Sequence, residues 1–222
     1  MTPAPPPYRP FYYETEPYPV VVLEGVSGIG KSTLAGLLAK RLKASRIHTL
    51  TEPHTGWSST TNADLRSLPQ FAFYLSGALH TSDRIRHARA HGPVVADRYL
   101  SSVIACHAAV HRVPVDAVTA LLEPFRYYLT EPTRTYYLRC SENELRERLA
   151  VKADVKSDDT DLLTIPDRLP RLLANFAQAA SEDDTAVWLD TDAKPPAELA
   201  DWIVADLERN CAYPHRPGRR HP

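Results

Sequence analysis

The sequence predicts an α/β fold: a doubly wound, five-stranded parallel sheet in three layers. Three observations carry that expectation. Short apolar runs alternate with segments of helical period along most of the chain. The run VVVL at 20–23 is wholly apolar, as a strand buried on both faces of a parallel sheet must be. Polar and glycine-rich stretches sit where the strands end, and ligands bind there in such sheets.

In chain order, VVVL is the first strand. KSTLAGLLAKRL follows as a helix, with Leu34, Leu37, Leu38 and Leu42 on a helical period. RIHTLTEP reads as the second strand, stopped by Pro53. LPQFAFYLSGALHTSDRIRHARAHG is a long helix that ends near Gly92. PVVADRY is the third strand, and SVIACHAAVHR and PVDAVTALLEPFRYYL are helices. RTYYLRC is the fourth strand. SENELRERLA opens on a capping box, Ser141 with Glu144. VWLDTD is the fifth strand, and PAELADWIVADLERN closes the body as a helix. No internal repeat is visible.

A chain of 222 residues, 43% of them hydrophobic, suffices for one large domain. Its 26 basic and 27 acidic residues leave a net charge of −1, which gives no electrostatic case for a nucleic-acid polymer or an anionic membrane as partner. No apolar run nears the roughly 20 residues that span a bilayer, and the N-terminus lacks a signal pattern. Cys106, Cys140 and Cys211 lie far apart, with no metal-type spacing. A cytoplasmic protein is expected. The first 19 residues hold seven of the 20 prolines and four of the 11 tyrosines, without a helical or strand period. Residues 1–18 therefore read as an extended or disordered arm, 19–208 as the folded body, and 209–222 as a basic flexible tail containing Arg216, Arg219 and Arg220.

Gly25-Val-Ser-Gly-Ile-Gly30-Lys31-Ser32 fits G-x-x-x-x-G-K-[ST] and lies between a buried strand and a helix, where that motif belongs. This is a P-loop, and it assigns the fold to the P-loop nucleoside triphosphate hydrolase type. Backbone N–H groups from Gly25 through Ser27, Gly28, Ile29, Gly30 and Thr33 are expected to wrap phosphate oxygens, helped by the helix N-terminus. Lys31 is expected on the β and γ phosphates of ATP, and Ser32 on Mg²⁺. The motif alone does not separate a kinase from a GTPase or a non-catalytic switch.

LEGVSGIGKSTL, TEP, DRYLSSVIA and YYLRCSENELRERL follow in this order. Together they resemble the thymidylate kinase and deoxynucleoside kinase superfamily over roughly residues 19–208. Thymidylate kinases carry D-R-Y-x-x-S-x-x-A, and this chain has Asp97, Arg98, Tyr99, Ser102 and Ala105 at that spacing. Deoxynucleoside kinases carry E-P-x-x-x-W, matched by Glu52, Pro53 and Trp57. The resemblance implies an ATP- and Mg²⁺-dependent kinase acting on a nucleoside monophosphate or, alternatively, on the 5′-hydroxyl of a nucleoside or nucleoside-like metabolite. It also implies a homodimer packed through the long helices. Phosphoryl transfer needs positioning and charge neutralisation, and the residue types agree with the resemblance. Asp97 can hold the metal shell, and Arg98 a phosphoryl group by a two-pronged contact. Glu52 can act as base or orient the acceptor. Trp57, Phe73, Gly77, Tyr99 and His107 are the remaining acceptor-side candidates. The family's lid falls at about 152–166, where only Lys152 and Lys156 are basic. That leaves Arg148 as the lid-side phosphate cation, with Arg168 and Arg171 as substitutes. The loop at 193–196 is expected to flank adenine.

The chain also departs from the pattern. Thr51 stands where thymidylate kinases place an arginine before Glu-Pro. The base-reading arginine or glutamine of the long helix falls at or near Gly77, and the Ser76-Gly77 pair is expected to make room for a larger or different acceptor. A nucleoside monophosphate brings about two negative charges, yet residues 51–76 supply only Arg66. That shortage favours a neutral hydroxyl; the longer DRYxxSxxA match favours a nucleotide. A non-catalytic nucleotide switch is the alternative of another class.

Overall fold

The computed structural model describes residues 6–11, 18–152 and 157–211. Five strands form one parallel sheet in the order β2-β3-β1-β4-β5. They are β1 (Val20–Glu24), β2 (Ser45–His48), β3 (Val94–Asp97), β4 (Arg134–Arg139) and β5 (Ala186–Asp190). The fully buried β1 sits at the centre, with Leu23 opposite Asp97 on β3 and Tyr136 on β4.

Strand alternation distributes the helices. Val21 and Leu23 pack with Leu34 and Leu38 of α1 (Lys31–Leu42) and with Ile203 and Leu207 of α9 (Pro196–Asn210). Val20 and Val22 pack instead with Ile85 of the long α3 (Ser67–Arg89). The neighbours Tyr136 and Tyr137 diverge in the same way. Tyr136 donates to Asp206 of α9 at 2.7 Å. Tyr137 meets Ser101 of α4 (Leu100–His111) and donates to Asp183, just beyond α8 (Arg168–Ser181). The sheet is therefore sandwiched in three layers, as expected.

Several elements differ from the sequence reading. β2 stops at His48, not at Pro53, and the Glu52–Pro53 peptide is cis. A 3-10 turn, Thr55–Trp57, and α2 (Ser58–Asp64) follow it. The segment expected to form the second helix after DRY is α5 (Val115–Leu122) plus a 3-10 turn, Glu123–Tyr128. The lid segment after α6 (Glu142–Ala150) contains α7 (Ser157–Thr164), whose Leu162 is buried in the main core. Residues 153–156, with Lys156, lie outside the described residues, as do most of the arm and the three tail arginines. Within the arm, Pro6–Tyr8 forms a 3-10 turn, and Tyr127 donates to the Tyr8 carbonyl at 3.1 Å.

Candidate active site

The P-loop lies where the sequence places it, and two of its glycines are sterically required. Gly25 has φ 137°, and a Cβ there would stand 2.8 Å from the Leu138 carbonyl oxygen. Gly28 has φ 82°, and a Cβ would strike Leu149 of α6 at 2.5 Å. The loop is thus wedged between β4 and α6, and only glycine fits at these two turns. Ile29 buries its side chain in the core, which leaves its backbone to the loop. Ser32 and Thr33 are exposed at the start of α1.

Lys31 is buried, and its Nζ donates to the Val26 carbonyl at 2.5 Å. Burial and the nearby Arg98 charge pull its pKa well below the ordinary lysine value, against Asp97 and Glu24, which oppose the shift. Asp97 is its buried counterpart. Burial alone would raise the Asp97 carboxyl. The Ser32 hydroxyl, the Lys31 and His48 charges and a bond from Arg46 outweigh it and hold the group below its ordinary 3.8. Ser32 and Asp97 offer a hydroxyl and a carboxylate, hard oxygen donors that suit Mg²⁺. That ion takes one or two protein oxygens and fills its shell with phosphate and water oxygens. Among the described residues no group of three or more His, Cys, Asp or Glu forms a metal cage.

Arg98 adopts the left-handed conformation at φ 70°. Its Nη1 donates to the Gly25 carbonyl at 3.0 Å and to Ser102 Oγ at 2.9 Å. The guanidinium is therefore tied to the first glycine of the P-loop. Beneath it lies a knot that sequence reasoning did not assign. Glu24, wholly buried at the end of β1, accepts from the backbone N–H groups of Tyr99 and Ser102 at 2.8 and 3.1 Å, and from Ser102 Oγ at 2.5 Å. It caps the N-terminus of α4 across the sheet. Burial pushes the Glu24 carboxyl up, and these bonds and Arg98 offset the shift only in part. The signal was present in the sequence as Glu24-Gly25 and as the serine of DRYxxS.

Three expectations need correction. Tyr99 is a core residue: its ring packs with Val20, Val22 and Ile85, and its hydroxyl bonds Ser82 and accepts from Thr130 N. Arg148 is not a free lid cation. Its guanidinium donates to Glu144, to the Ile29 carbonyl and to the hydroxyl and carbonyl of Thr191, tying α6 and the P-loop to the β5 exit. Gly77 does not open space. A Cβ there would meet Leu50 at 2.6 Å and His54 at 3.6 Å, so the chain leaving β2 already occupies that side of α3.

The remaining acceptor-side candidates divide. Glu52 is exposed, with no side-chain partner among the described residues, and Trp57 is 63% exposed. Phe73 faces the His54 ring at 5.4 Å, and His54 bonds Ser76. His107 is buried against Phe71 and His111, with Nδ1 unpartnered; burial and His111 lower its pKa to about 4. A polar chain that runs from half-buried to exposed lies beside it. His111 bonds Gln70, which donates to Asn62, whose Oδ1 also accepts from Tyr74.

The family model for thymidylate kinase matches residues 23–194. The chain belongs to the thymidylate kinase family. This membership makes it a nucleotide kinase, a phosphotransferase, and sets the non-catalytic switch aside. The chain is 28% identical over 215 residues to a thymidylate kinase of Rhodopseudomonas palustris, covering 90% of this chain and 93% of that protein. It is 32% identical over 121 residues to a probable thymidylate kinase of Natronomonas pharaonis, a match spanning 51% of this chain and 62% of that protein's length. Its fold is similar to that of thymidylate kinase from Candida albicans, with a TM-score of 0.71 at 17% identity, over 88% of this chain and 93% of the other. It is also similar to deoxyadenosine kinase from M. mycoides, with a TM-score of 0.62 at 17% identity, over 86% and 99% of the two chains. Both structural neighbours share the P-loop kinase fold with this family member.

Proposed function

We propose that this kinase uses ATP and Mg²⁺ to phosphorylate a nucleoside monophosphate in the cytoplasm. The observation that carries the reading is Arg98. Its left-handed backbone and its bonds to Gly25 and Ser102 hold a guanidinium beside the P-loop before any substrate arrives. A preorganised planar cation at that place suits the phosphoryl group in flight and the acceptor phosphate it meets.

The loop amides and Lys31 bind the donor phosphates, and Lys31 exchanges its bond to Val26 for them. Ser32 and Asp97 would hold the metal, which would supply neutralisation of the phosphate charge. Arg148 acts on the donor side, fixing the P-loop at Ile29 and the β5 exit at Thr191, next to the 193–196 loop proposed to flank adenine. A homodimer through the long helices belongs to the same proposal.

One observation favours a second reading, a nucleoside acceptor. Glu52 is an exposed carboxylate with no side-chain partner among the described residues, as a base for a 5′-hydroxyl would be. An ADP-release assay across nucleosides and their monophosphates separates the two, run on the intact chain and on Glu52→Gln. If monophosphates are the acceptors, they alone raise ADP release and Glu52→Gln keeps most of kcat. If a hydroxyl is the acceptor, nucleosides raise it and Glu52→Gln loses roughly 10²-fold or more of kcat.

A further inference from the structure

We propose that Arg46 is a positioning residue for the metal carboxylate: from β2 it clamps one oxygen of Asp97 and so orients the group that serves the donor's Mg²⁺. The inference rests on the reading that Ser32 and Asp97 hold that metal. Arg46 Nη2 donates to Asp97 Oδ2 at 3.1 Å. The pair is lopsided: the Asp97 side chain is 2% exposed and that of Arg46 is 45% exposed.

Strand geometry makes the contact specific. Arg46 stands in register with Val95, and His48 with Asp97 itself. Alternation puts positions 46 and 48 on one side of β2. Arg46 must therefore reach two residues along β3, about 6–7 Å at ordinary strand rise, to meet the carboxylate. Its guanidinium passes α1 at Gly36, where a Cβ would stand 3.8 Å from Nη1. The reach brings one guanidinium N–H onto a carboxylate that water scarcely touches. An exposed ion pair of this kind contributes little. A buried carboxylate depends on each partner for its orientation. With Oδ2 held by Arg46, Oδ1 is left for the metal shell. Partners that orient a ligating group in this way typically contribute 10–100-fold to metal affinity.

Charge alone predicts the opposite sign, because removing a cation beside a metal ligand should tighten metal binding. That contrast makes the proposal testable. Mg²⁺ and Mn²⁺ are titrated calorimetrically into the protein–ADP complex of the unaltered chain, Arg46→Met and Arg46→Lys. ADP binding is measured separately in EDTA. Arg46→Met is expected to weaken metal binding by about 10–100-fold. Arg46→Lys, which keeps the charge but loses the fork, is expected to fall between. ADP affinity in EDTA should stay within about two-fold. If Arg46→Met does not stay folded, Arg46→Lys carries the test alone, and a loss of metal affinity with intact EDTA binding supports the proposal. Metal affinity that is unchanged or tighter in the variants overturns it while leaving the metal reading intact. An unaltered protein–ADP complex that takes up no metal overturns both.

Discussion

Ser102 holds two partners that the site cannot lose together. Its hydroxyl donates to buried Glu24 and accepts from Arg98. Ser102→Ala would leave a buried carboxylate one donor short and free one of the two anchors of Arg98. The expected cost is about 1–3 kcal/mol of stability, read by urea unfolding, with a fall in kcat that exceeds any change in the KM for ATP. His107 gives a pH prediction. Its folded pKa is about 4, below the ordinary 6.5. As pH falls, the unfolded chain takes up this proton before the folded one does. The stabilising contribution is therefore complete above about 6.5 and is lost as pH drops towards 4. Thermal melts of Ser102-intact protein across that window should show the loss, and His107→Phe should flatten it. An unchanged acid limb in His107→Phe would mean that His107 titrates normally.

At the scale of elements, the P-loop, α6 and the β5 exit behave as one block, joined by Arg148 and by the seat of Leu149 against Gly28. Gly28→Ala forces a side chain into a left-handed turn, at about 1–2 kcal/mol, and also displaces Leu149. Nucleotide binding by calorimetry should weaken, with the loss larger for ATP than for the acceptor. Which elements were legible in the sequence follows from where their stabilising partners lie. The P-loop and β1 were readable because their determinants are contiguous. α8 is not legible from local pattern, although Leu169, Leu172 and Phe176 are buried at helical spacing. Pro170 reads as a breaker, yet in the first turn proline loses no intrahelical hydrogen bond. α2 is polar and weakly helical by propensity, and its Asn62 is held by Gln70 and Tyr74 of α3, contacts that no local pattern announces. The capping box was half realised. Ser141 accepts from Glu144 N, but the Glu144 carboxylate turns to Arg148, and Asp192 caps the Ser141 N–H instead. Tyr99 and Arg148 show the same limit. Residue type gave their chemistry, but long-range partners decided their place.

On the scale of the whole molecule, one sheet gathers the P-loop lysine and its charged neighbours at the carboxyl ends of β1 and β3. Lys31, Asp97 and Arg98 meet there, with Glu24 underneath and Arg46 reaching in from β2. Helices α2, α3 and α4 carry a separate group of histidine, amide and hydroxyl side chains, and the place at Gly77 is closed by Leu50 and His54. A direct test is to incubate the protein with ATP labelled in its γ-phosphate, Mg²⁺ and a panel of nucleosides and nucleoside monophosphates, and to identify the labelled product. Label is expected in a nucleoside diphosphate, formed only with metal and lost in Lys31→Ala. Label confined to inorganic phosphate, or found only in nucleoside monophosphate made from a nucleoside, would contradict it.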